Sequence, residues 1–126
     1  MQKKYSFKEF LDLKENNIQA VELLWQGMGI HAFVSENKGI ITLSKILVPK
    51  ESRDQGFGTK AMQILVDYAD ETGQTIVLTP SADFGGNKNR LVDFYKRFGF
   101  VQNKGRSKDF AITQTMYRLP VNFKLK

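Results

Sequence analysis

Arg53-Asp54-Gln55-Gly56-Phe57-Gly58-Thr59 follows the apolar run Ile40 to Val48 and precedes a helical pattern, and its reading decides the fold. Two glycines flank one aromatic residue, so the backbone can approach a bulky group with no Cβ in the way. The helix that follows leaves its first four N–H groups without intrahelical partners. With the positive end of the helix dipole and the Arg53 guanidinium, they make a site for phosphate, which points to pyrophosphate. A dinucleotide-binding turn fits Gly56 to Ala61 as G-x-G-x-x-A. That turn should follow its strand directly, and here Pro49 to Gln55 intervene. A Walker loop would close on Gly-Lys-Ser/Thr, and none does so here. The plain alternative is a helix N-terminus with convenient glycines and no ligand.

Outward from the loop, Phe57 to about Thr72 is predicted as an amphipathic helix. Ala61, Leu65 and Tyr68 form one face, Met62, Val66 and Ala69 widen it, and Lys60, Gln63, Asp67, Asp70 and Glu71 stay polar. Gly73 is placed as its left-handed cap, and Thr75 to Thr79 is a short β-branched strand ended by Pro80. Strand, loop, helix and strand in that order make a parallel crossover unit. Ser81 to Asn89 is a polar loop at the carboxyl end of the second strand, where sites are often lined. Leu91, Phe94, Tyr95 and Phe98 then recur at helical spacing, with Gly99 as cap. Phe100-Val101 begins a strand, Asn103 to Asp109 is a basic turn, Phe110 to Arg118 is the closing strand, and Leu119 to Lys126 is a fraying tail.

Upstream, Ser6-x-x-Glu9 is a capping box, with Phe7, Phe10 and Leu11 on one helical face. Asn17 caps a second helix carrying Ile18, Val21, Leu24, Trp25 and Met28, and Trp25 on that stripe is expected in the core. Ile30 to Ser35 is a strand, Glu36 to Gly39 a tight turn, and Ile40 to Val48 a longer strand stopped by Pro49. His31 could act as a base near neutral pH, although a single unsupported histidine reads more simply as a surface residue.

The chain has 126 residues, a length that suits one domain, 1–126, with one core. No run approaches the ~20 apolar residues of a membrane span. Met1-Gln2-Lys3-Lys4-Tyr5 lacks the apolar core of a signal peptide, so a cytoplasmic location is the expectation. Absence of cysteine excludes disulfides and thiolate catalysis, and one histidine argues against a protein-only metal site, so no metal is expected. The net charge of +6 suits an anionic ligand, either a phosphate-bearing cofactor or a nucleic acid backbone.

Two motifs carry a resemblance to the GNAT N-acetyltransferases. Arg53, Gly56 and Gly58 match the family's acyl-CoA loop, Arg/Gln-x-x-Gly-x-Gly/Ala. Leu91-x-x-Phe94-Tyr95-x-x-x-Gly99-Phe100 resembles its Leu-x-x-Phe-Tyr-x-x-x-Gly-Phe. The resemblance covers roughly Ile40 to Arg118. Asp83-Phe84-Gly85-Gly86 and Met116-Tyr117-Arg118 also look like the small single-domain forms encoded by bacteriophages and mobile elements. The resemblance implies an α/β (α+β) fold, with a mixed central sheet of about five to six strands flanked by four helices and with reduced N-terminal strands. Residues 1–39 would form the acceptor side, 40–118 the CoA-binding core and 119–126 a tail.

The implied activity is direct transfer of an acetyl group from acetyl-CoA to an amine. Leu47, Val48, Arg53, Asp54, Gln55, Gly56, Phe57, Gly58, Thr59, Lys60 and Asn89 would bind the cofactor. Backbone N–H groups near Leu47 and Val48 would polarise the thioester carbonyl, and the free edge of the strand would pair with the pantetheine arm. Tyr95 matches the tyrosine that steadies the leaving thiolate, and its plain reading is an amphipathic core residue. Many members carry a glutamate base on the strand before the loop. Thr42, Ser44 and Lys45 stand there instead, which leaves Asp83 and Glu51 as weaker candidates.

The acceptor is an unidentified amine, and the chain a monomer or homodimer. Excess Lys and Arg at Lys88, Arg90, Lys96, Arg97, Lys104, Arg106 and Lys108 points to an acceptor linked to nucleic acid, while ordinary solvated lysines are the plain account. The alternative from another class is a non-catalytic module of the same fold that binds nucleic acid or a host protein.

Overall fold

The computed structural model describes residues 18–47, 56–80 and 88–121. The stripe Ile18, Val21, Leu24, Trp25 winds as α1 (Ile18–Gly27), with Ala20, Val21 and Trp25 buried. The Trp25 indole donates from Nε1 to the carbonyl of Ala61, 2.9 Å away, so its one polar atom is satisfied inside the core. β1 (His31–Asn37) and β2 (Ile40–Leu47) form an antiparallel hairpin. Its loop is the pair Lys38-Gly39, both at positive φ, 51° and 83°. That backbone twist matches the twist of the two strands. The expected four-residue turn is therefore shorter, and Glu36 belongs to the strand.

α2 (Phe57–Thr72) buries Ala61, Met62, Leu65, Val66, Tyr68 and Ala69, and ends at Gly73, whose N–H bonds back to Asp70. It leads into β3 (Thr75–Leu78), parallel to β2. α3 (Lys88–Lys96) turns Tyr95 into the core with Leu91 and Phe94 beside it. β4 (Val101–Gln102) and β5 (Met116–Arg118) close the sheet, whose order is β1-β2-β3-β5-β4. This mixed five-stranded sheet with helices is the expected α+β class. Among the described residues three α-helices stand, not four, and the capping-box segment at Ser6 lies outside them.

The closing strand is a correction: it starts at Met116, not Phe110. Asn103 is the cause. Its amide donates to the carbonyls of Ile112 (3.0 Å) and Gln114 (2.9 Å), and its oxygen accepts from the N–H of Asp109 (2.7 Å). These backbone groups are spent on a buried side chain and are not available to a ladder.

Two further polar ties hold the layers together. Glu36 accepts from the Tyr68 hydroxyl (2.6 Å), from Gln74 Nε2 (2.8 Å) and from the Ile18 N–H at the start of α1 (3.4 Å). Asp70, expected on the polar face of its helix, instead forms a two-pronged pair with Arg118, at 2.7 and 3.0 Å. The two side chains are only 13 % and 7 % exposed. Asp70→Asn keeps the shape but leaves the guanidinium without its counter-charge. It is expected to lower stability by about 2 kcal/mol, measurable as a drop in the urea midpoint with an unchanged slope.

Candidate active site

The site begins where β2 outruns β3. The parallel pairing covers Ile40↔Thr75 to Leu43↔Leu78 and stops there. From Ser44 to Leu47, β1 continues alongside β2 on one side, and among the described residues no strand pairs with it on the other. Four residues of open edge run about 13 Å at ~3.3 Å per residue. An extended amide-bearing arm can bond to such an edge as an added strand does.

The break coincides with a β-bulge. Phe33 pairs with Lys45 and Val34 with Leu43, so Ser44 is the extra residue on β2. Ser44 and Lys45 are both exposed, and the inward positions shift from Ile41 and Leu43 to Ile46. A bulge re-aims backbone groups at the point where ordinary pairing ends.

At the start of α2, Gly56 takes a left-handed conformation, φ 76° and ψ 16°, and as the N-cap residue it brings no side chain to cap the helix. A Cβ at Gly56 would meet nothing within 4 Å, so its backbone angle, not crowding, favours glycine there. The first intrahelical bond is Lys60 N–H to Gly56 O at 3.0 Å. The N–H groups of Phe57, Gly58 and Thr59 precede that ladder and can donate to an anion. Phe57 packs half-buried against the core, and Lys60 Nζ lies 5.7 Å from the centre of its ring. Leu47 is half-buried at the end of β2, paired with His31. Val48, Arg53, Asp54 and Gln55 lie outside the described residues, as do Glu51 and Asp83.

Tyr95 is 6 % exposed and packs edge-on against Phe94 (5.4 Å between ring centres) and Phe100 (5.6 Å). It shares one packed cluster with Leu43, the last residue of β2 that pairs with β3. Burial pushes its phenol above the ordinary value, so it holds its proton at neutral pH. Asn89 stands exposed in the first turn of α3. His31 is exposed, and with Glu22, Gln26 and Phe33 it lines a shallow depression of about 180 Å³ beside α1. Glycine-led helix start and interrupted parallel pair thus stand on one crossover unit, and the buried tyrosine on the helix that follows it.

Comparison with known families decides the matter: the model of the acetyltransferase (GNAT) family matches residues 26–100, well over half of the chain. The chain belongs to the GNAT acetyltransferase family. No curated protein and no solved structure matches it. The match runs from the end of α1 through β1, β2, α2, β3 and α3 to Phe100, so it contains both motifs and the bulge. Within this GNAT domain the bulge at Ser44 is the feature that sequence reasoning missed. Its signal was present as the change of apolar parity from 41 and 43 to 46. Among the described residues, no helix is long and apolar enough to cross a membrane.

Proposed function

We propose that this GNAT domain transfers an acetyl group from acetyl-CoA to the amine of an acceptor. The observation that carries the proposal is the open edge of β2, bulged at Ser44, together with the glycine-led N-terminus of α2. The phosphates of the cofactor bind the N–H groups of Phe57, Gly58 and Thr59, assisted by Lys60 and by the loop residues Arg53 to Gln55. The pantetheine amides pair along Ser44 to Val48, and a backbone N–H of that edge polarises the thioester carbonyl. Asn89 contributes from the first turn of α3.

The neutral amine attacks the carbonyl carbon, the C–N bond forms and the C–S bond breaks. The proton of the amine passes to a base or to water. The departing thiolate takes the phenolic proton of Tyr95, which solvent then restores, so the products are an amide and free CoA. Tyr95 suits a donor because its burial keeps the phenol protonated. Incubation with acetyl-CoA and a cell extract, followed by mass spectrometry of acetylated products, tests the proposal. Accumulation of an N-acetylated product together with free CoA thiol supports it. Binding of acetyl-CoA without turnover of any amine would return the chain to the non-catalytic reading.

A further inference from the structure

We infer that the loop from Asn103 to Ile112 is a binding site for single-stranded nucleic acid, with Phe110 stacking on an unpaired base. Phe110 is 87 % exposed, the most exposed of the large apolar side chains described. Its neighbours along the loop are cations: Lys104, Arg106 and Lys108 are all exposed, and Lys108 Nζ lies 5.5 Å from the centre of the phenyl ring.

The loop is built to keep this arrangement. Buried Asn103 ties together Asp109, Ile112 and Gln114. The Tyr117 hydroxyl donates to the carbonyl of Ser107, fixing the single 3-10 turn Gly105–Ser107. Asp109, the loop's acidic residue, turns its carboxylate onto the N–H of Ala111 (2.9 Å). Phe110 therefore stays in water by construction, and nothing in the acetyl-transfer site requires it.

Charge and shape choose the partner. A protein partner would meet an exposed aromatic ring with Lys108 beside it on a basic loop, whereas aromatic anchors in protein interfaces sit in well-packed, desolvated pockets. A duplex needs only cations, because its bases are already stacked on one another. An exposed ring among Lys and Arg fits a strand whose phosphates run past the cations while one base lies on the ring.

Fluorescence anisotropy with a labelled oligothymidylate, a labelled oligouridylate and a duplex of matched length tests this across a salt series. The expected result is tighter binding of the single strands than of the duplex. Phe110→Ala should weaken single-strand binding roughly tenfold and leave the salt dependence unchanged. Arg106→Glu with Lys108→Glu should lower the log–log salt slope by about 1.4, at ~0.7 per phosphate contact. All three positions are exposed, so the variants keep the fold, and acetyl-CoA binding measured on the same samples should not change. Equal affinity for duplex, indifference to Phe110→Ala, or no binding near ~0.1 M salt would overturn the inference. So would retention of the protein on anionic vesicles or on another protein in place of the oligonucleotides.

Discussion

Gly58→Asp should abolish acetyl-CoA binding and leave the protein folded, with an unchanged or slightly raised melting temperature. The two effects have opposite signs for one reason. Position 58 lies in the first turn of α2, where the helix dipole is positive and the N–H groups precede the ladder. A carboxylate there is favourable to the empty helix by about 0.3–1 kcal/mol, and aspartate is a slightly better helix residue than glycine. For a bound pyrophosphate the same charge is repulsive. At ~4 Å and an effective dielectric of ~20 the repulsion is about 4 kcal/mol per charge pair, a loss of roughly 10²–10³-fold in affinity. Titration calorimetry and a thermal melt of one sample read both signs. A stable Gly58→Asp protein with wild-type affinity for acetyl-CoA would move the cofactor away from this helix.

Tyr95→Phe should lower kcat by roughly 10²-fold with little change in affinity for acetyl-CoA. The phenyl ring keeps the edge-on contacts with Phe94 and Phe100, so packing is preserved. Only the proton donor is lost. The pH profile adds a second readout. Because burial raises the Tyr95 phenol, the donor remains protonated up to and beyond the ordinary value of ~10. The rate should rise with pH as the acceptor amine loses its proton, and should not fall through loss of the Tyr95 proton below ~10. Equal turnover by Tyr95→Phe would leave this residue a core tyrosine alone.

The parts of the fold that were legible were local. Glycines around Phe57 and the 3.6-residue spacing of Ala61, Leu65 and Tyr68 mark the start and inner face of α2. Trp25 lay in the core as its stripe implied. What escaped depends on distant partners. Asp70 is one carboxylate on a polar helix face until Arg118, forty-eight positions later, comes to it. Glu36 looks like a turn residue until Tyr68 and Gln74 close on it. Phe110 to Thr115 has the composition of a strand, and the side-chain amide of Asn103 takes the carbonyls of Ile112 and Gln114.

At the site, the glycine loop and the tyrosine motif were both visible as short patterns. The bulge was written only as a change of parity, in which Ser44 and Lys45 are consecutively exposed between Leu43 and Ile46. A strict two-residue alternation overlooks that break, although it marks the place where the thioester is proposed to lie.

Isothermal titration of acetyl-CoA into the intact protein is the most direct test of the proposed site at β2 and α2. The expected result is saturable binding of one acetyl-CoA per chain, lost in Gly58→Asp and retained in Tyr95→Phe. Absence of saturable binding to the folded wild-type protein, or binding that Gly58→Asp leaves intact, would contradict it.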